Sequence, residues 1–96
     1  MSAIVDEAVA TLNAKLGGAG FDGLAKFVFK GEGALMLDAA GARAGDEEAD
    51  VTLTANADVF KSMLDGDTSP TAAFMTGRLS VDGNMGLAMK LAAVLA

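Results

Sequence analysis

Gly18-Ala19-Gly20-Phe21-Asp22-Gly23 has the G-x-G-x-x-G spacing that wraps backbone around a dinucleotide pyrophosphate. That chemistry needs a strand before the glycines and a helix after them. Here helical periodicity precedes the motif and a strand-like run follows, so it reads as a flexible helix-to-strand connection. Asp65-Gly66-Asp67-Thr68-Ser69 begins like a calcium loop. Pro70 stands where that loop needs Gly, and Thr76 where it needs a bidentate Glu. Two capped helix ends account for the segment better. Asp46-Glu47-Glu48 with Asp50 is the densest acidic cluster, and it reads as a solvated loop that blunts a strand edge. Ser69, Thr71, Thr76 and Ser80 carry hydroxyls, but none sits in a G-x-S-x-G elbow. No His is present to activate them.

The wider inventory is equally poor in reactive groups. Without Cys there is no thiolate nucleophile, disulfide or thiolate metal site. Without His the usual base near neutral pH and the commonest metal ligand are gone. What remains for catalysis is carboxylate, Lys, Arg and hydroxyl chemistry, and nothing beyond that inventory favours an enzyme; no metal or cofactor is expected. Its formal charge of −6 gives no basic footprint for nucleic acid. The same charge disfavours anionic membranes, leaving at most transient membrane contact. No stretch approaches the roughly 20 apolar residues that span a bilayer. The start Met1-Ser2-Ala3-Ile4-Val5-Asp6-Glu7 lacks a basic leader, and Val94-Leu95-Ala96 is not a peroxisomal tripeptide. A cytoplasmic, bacterial protein is the expectation, with one domain over residues 1–96.

The elements follow from periodicity. Ile4/Val5, Ala8/Val9, Leu12 and Leu16 predict an amphipathic helix from Ala3 to Leu16, with Ser2 as N-cap. Ala25 to Lys30 and Ala34 to Asp38 alternate and predict a hairpin, with Phe27, Phe29, Leu35 and Leu37 inward. Ala39 to Glu48 reads as a small polar loop. Asp50 to Thr54 is a period-two strand with Thr on its solvated face, which implies antiparallel pairing. Two short helices follow. The first is capped by Asn56 or Asp58 and runs to Leu64, and the second starts at Ser69-Pro70 and runs to Met75. Arg78 to Asp82 is a last strand, and Asn84 caps a terminal helix. The order α-β-β-β-α-α-β-α predicts an α+β fold, a mainly antiparallel twisted sheet with helices packed on one face.

The terminal segment Asn84 to Ala96 is apolar nearly all round, with Lys90 its only charge. A surface helix shows one apolar stripe, so this helix calls for enclosure by protein, by a partner or by a bound apolar molecule. Large apolar residues crowd the same third of the chain: Phe60, Met63, Leu64, Phe74, Met75, Leu79, Val81, Met85, Leu87, Ala88, Met89 and Leu91. They form either an ordinary core or a core with a ligand cavity. The six Met suit pliable contents.

Gly77-Arg78-Leu79-Ser80-Val81-Asp82-Gly83-Asn84-Met85-Gly86-Leu87-Ala88-Met89-Lys90-Leu91 resembles the C-terminal signature of the sterol carrier protein type 2 family. Ala49 to Thr54 resembles its middle strand, and Ser69 to Gly77 its proline-started helix. The resemblance implies non-catalytic binding or transfer of a lipid: fatty acid, fatty acyl-CoA or a similar apolar ligand. It implies an apolar tunnel between the sheet and the C-terminal helices, lined by the twelve residues just named. It also implies a polar contact at Thr76, where members often carry Gln. Two other readings stay open. The terminal helix could serve as a protein–protein or homodimer surface, or the pocket could carry a quinone-type biosynthetic intermediate. The lipid, its donor and acceptor, and the oligomeric state are not legible.

Overall fold

A computed structural model describes residues 3–95. In chain order it contains α1 (Ala3–Leu16), β1 (Ala25–Phe29), β2 (Gly33–Asp38), β3 (Gly41–Ala44), β4 (Val51–Ala55), α2 (Ala57–Leu64), α3 (Pro70–Met75), β5 (Leu79–Gly83) and α4 (Met85–Leu95). The α+β order expected from periodicity holds, with one strand added. Ser2, the expected cap of α1, lies outside the described residues.

The five strands lie in the order β3-β2-β1-β4-β5. Three neighbouring pairs are antiparallel, and the central β1–β4 pair is parallel. Register aligns Leu35, Phe27, Leu53 and Val81 across four strands. Alternation sends this row to the inner face. Ala25, Phe27, Phe29, Val51, Leu53 and Ala55 are buried there. Val5, Ala8 and Leu12 bring α1 onto the same core, one helical turn apart. From α2, Phe60 sets its ring 4.5 Å from that of Phe29 and 5.4 Å from that of Phe27. These tilted pairs join the helical layer to the middle of the sheet.

Residues 39–48 are not simply a loop. Gly41–Ala44 forms β3 at the sheet edge, antiparallel to β2. Gly-Ala-Arg-Ala carries no large apolar residue, so no period-two pattern announces it. Backbone pairing with β2 and the carboxamide of Asn13 hold it instead. Beyond β3 the chain crosses the outer face of the sheet. Asp46 pairs with Lys26 at 3.0 Å, and the Glu47 N–H donates to the Met36 sulfur at 3.5 Å. This crossing buries Met36 and Ala34 on the face that alternation leaves to solvent. It also delivers the chain to the far side of β1, which makes the β1–β4 pair parallel.

Candidate functional site

The candidate site lies where α3, β5 and α4 meet β4. Each element has a local reason for its place. Ser69 caps α3, its Oγ accepting from the Ala72 N–H at 3.0 Å, and Pro70 occupies the first helical position. At the other end the Gly77 N–H reaches the Phe74 carbonyl at 3.1 Å and the Arg78 N–H the Ala73 carbonyl at 2.9 Å. That is a Schellman closure, and Gly77 supplies its left-handed residue at φ +78°. The chain turns at once into β5, whose Leu79 and Val81 pair with Ala55 and Leu53 of β4.

Gly83 starts α4. Its φ is +103°, and a Cβ there would lie 2.4 Å from the Asp50 carbonyl oxygen. Only glycine meets both demands. Asn84 then caps the helix, with Oδ1 accepting from the Leu87 N–H at 3.0 Å. Its own N–H donates to the Asp50 carbonyl at 2.9 Å. The start of α4 is thereby fixed to the beginning of β4.

These elements enclose an open apolar cleft of about 120 Å³. Its floor is Leu53, Leu79 and Val81; α3 contributes Pro70, Thr71 and Phe74; α4 contributes Met85, Ala88, Met89, Ala92 and Leu95. No charged side chain lines it. Where an apolar tunnel is expected, between the sheet and the C-terminal helices, the structure has this open cleft. Within α4 only Leu91 and Leu95 are buried. Met85 is 54% exposed and Met89 74%. The full enclosure that the composition of this helix calls for is absent among the described residues.

Six of the twelve residues expected to line the site border the cleft: Phe74, Leu79, Val81, Met85, Ala88 and Met89. The other six do not. Phe60, Met63 and Leu91 are buried among core side chains, because their helices turn them to the inner sheet face. Leu64 borders a different cavity. Leu87 packs partly buried against the core, 3.0 Å from where a Cβ on Gly23 would lie. Met75 is 79% exposed outside the cleft. Thr76, the expected polar contact, is not among the lining residues either. Its Oγ1 donates to the Ala72 carbonyl at 2.9 Å and accepts from Arg78 Nε at 3.1 Å, so it serves the end of α3. Leu53, Pro70, Thr71, Ala92 and Leu95 line the cleft although they are not among the twelve expected residues. Met85, Met89 and Ala92 share one face of α4 at i, i+4 and i+7, but the other faces are apolar too, so the spacing does not mark them in the sequence.

A second cavity, of about 370 Å³, lies between α1, α2 and the end of β1. Ile4, Ala8, Phe29, Ala57 and Leu64 form its apolar part. Glu7, Asp58, Lys61 and Asp65 ring it with charge, and Lys61 and Asp65 stand 3.8 Å apart. It is the larger of the two, but its acidic rim opposes an anionic head group. The α4 cleft presents no such opposition. Three or more clustered acidic residues able to hold a metal ion do not occur among the described residues.

Residues 3–96 match the SCP-2 sterol transfer family. Hydroxysteroid dehydrogenase-like protein 2 of Danio rerio is 39% identical over 82 residues, which is 77% of this chain and 20% of that protein. The chain spans about a fifth of the length of this relative and of the same protein from Xenopus tropicalis, which it matches at 37% identity. Among solved structures, sterol carrier protein domain 2 of Helicoverpa armigera superposes with a TM-score of 0.74 at 28% identity, covering 94% of this chain and 83% of that one. Sterol carrier protein 2 of Aedes aegypti, determined in complex with palmitate, gives 0.78 at 22% identity and covers 100% and 97%. With the α+β architecture, the family match over almost the whole sequence assigns the lineage: the chain belongs to the SCP-2 sterol transfer family.

Proposed function

We propose that this domain binds and transfers a lipid, a fatty acid, fatty acyl-CoA or similar apolar molecule, without catalysis. The carrying observation is the α4 cleft: apolar walls from four elements, one of them a helix that buries only two of its side chains. Family membership and the palmitate bound by the Aedes aegypti relative support the same reading.

The energetics are sufficient. A sixteen-carbon chain buried at about 0.8 kcal/mol per CH₂ yields on the order of 12 kcal/mol gross. Association and ordering remove several kcal/mol and leave about micromolar affinity or better. Apolar walls need no charged anchor, so discrimination is by length and girth. A cleft of 120 Å³ is smaller than the roughly 300–1,000 Å³ of ligand pockets, so the ligand displaces α4 outward. An empty rigid void of about 300 Å³ would cost on the order of 7 kcal/mol at about 24 cal/mol per Å³. That is comparable to the whole stability of a small domain. Closure of the ligand-free form follows from this comparison.

A second reading places the acyl chain in the α1–α2 cavity, whose volume already falls in the ligand range. The two readings separate by mutation. Thr11→Phe fills the α1–α2 cavity and leaves fatty-acid binding intact if the chain lies against α4. Met89→Asp does the reverse. Native mass spectrometry of the purified protein and titration with a fluorescent fatty acid test the function itself. A lipid-free protein that binds no fatty acid overturns it. A stable dimer at high dilution, without extractable lipid, would favour an interaction surface.

A further inference from the structure

Among the described residues the methionines fall into three structural classes. Met36 and Met63 are buried in packed surroundings. Met75 is exposed on α3 outside the cleft. Met85 and Met89 are exposed and line the cleft, four residues apart on one face of α4. We propose that Met85 and Met89 are a peroxide-modification site that closes the α4 cleft to apolar ligands. This rests on the lipid-binding reading of the cleft.

The chemistry is balanced and local. A thioether sulfur attacks one oxygen of a peroxide. The O–O bond breaks, an S–O bond forms, and the peroxide leaves as water or an alcohol after proton transfer. Sulfur loses two electrons and the peroxide gains them. The product, methionine sulfoxide, is polar and is reversed enzymatically. Oxidation requires access to sulfur, which Met85 and Met89 have and Met36 and Met63 lack.

Position turns this modification into a switch. Among the residues lining the cleft, Thr71 alone offers a side-chain hydrogen-bond donor. Without ligand, Met85 and Met89 are exposed to solvent, so a sulfoxide oxygen there is hydrated. An acyl chain laid across α4 strips that water from it and supplies no donor in return. Desolvating a polar group without a partner is unfavourable, so the ligand is repelled although the cleft keeps its shape. The Met75 sulfoxide forms equally readily but lies outside the cleft lining and has no such effect.

The test titrates the protein with hydrogen peroxide, maps each methionine by peptide mass, and compares uptake of a fluorescent fatty acid before and after treatment. Each protein is its own reference. Met75, Met85 and Met89 are expected to gain oxygen well before Met36 and Met63. Affinity should fall about tenfold or more in the native sequence. Met75→Leu should show the same fall, and methionine sulfoxide reductases should reverse it. The Met85→Leu/Met89→Leu double variant should lose less than about twofold, well under the tenfold that one desolvated polar group removes. Oxidised Met85 and Met89 with undiminished affinity overturn the proposal. So does an equal loss in the double variant. An untreated protein that takes up no fatty acid overturns the lipid-binding reading instead, and this proposal with it.

Discussion

The carboxamide of Asn13 on α1 pairs with both backbone groups of Ala42 on the edge strand β3. Its Nδ2 donates to the Ala42 carbonyl at 3.0 Å, and its Oδ1 accepts the Ala42 N–H at 2.8 Å. One side chain thus takes the place of a sixth strand. It satisfies outward-facing backbone groups that would otherwise invite pairing with another chain. It also ties the first helix to the sheet edge across 29 residues of sequence.

Replacing Asn13 with Ala should remove about 1–2 kcal/mol of stability, two exposed hydrogen bonds at the low end of their usual range. Urea denaturation would show a lower midpoint with an unchanged slope. An unchanged midpoint would mean that water replaces the carboxamide at no loss.

Gly83→Ala should be far more damaging. The new Cβ meets the Asp50 carbonyl oxygen at 2.4 Å, in a backbone conformation that alanine avoids. The Cβ is fixed by its own backbone and meets only backbone atoms, so neither side gives easily. We expect a loss of about 3 kcal/mol or more, comparable to the larger single-mutation effects. Thermal denaturation should show it, with the α4 amides exchanging hydrogen fastest.

Met89→Asp and Leu91→Asp should behave differently although they are two residues apart. Met89 is largely exposed at the cleft, so its carboxylate stays hydrated and the fold persists while fatty-acid uptake falls about tenfold or more. Leu91 is fully buried, so an Asp there should unfold the domain. Circular dichroism and ligand titration on the same samples separate the two outcomes. Equal loss of fold in both would contradict the placement of α4.

Asp38 gives a pH prediction. The Arg43 guanidinium donates to its carboxylate, and the Ala40 N–H donates to it at 2.9 Å. Together they hold the group below its ordinary value of 3.8. A depressed folded-state value means the contribution is present above about pH 3.8 and fades as pH falls through the lower folded-state value. Asp38→Asn should therefore be less stable than the native chain near neutral pH. The difference should close below pH 3.8, as denaturation midpoints across pH would record.

Much of this architecture is written locally. The 3–4 spacing of Val5, Ala8 and Leu12, the Phe27/Phe29 and Leu35/Leu37 alternation, and Ser69-Pro70 determine helix, strand and cap from neighbours within one turn or one pleat. The absence of Cys and His and the acidic balance are likewise properties of composition. The edge strand β3 is different. Its residues Gly41, Ala42, Arg43 and Ala44 carry no apolar period, and their pairing depends on β2 and on Asn13 far away in sequence. The site follows the same division. That the last third is rich in apolar residues is plain from the chain, whereas their sorting depends on packing. Docking onto the inner face turned Phe60, Met63 and Leu91 into core and left Met85 and Met89 at a cleft. A helix apolar on all sides has no periodicity to say which side faces inward. Only the fixed entry of α4 at Gly83 and Asn84, and the sheet surface opposite it, decided that rotation.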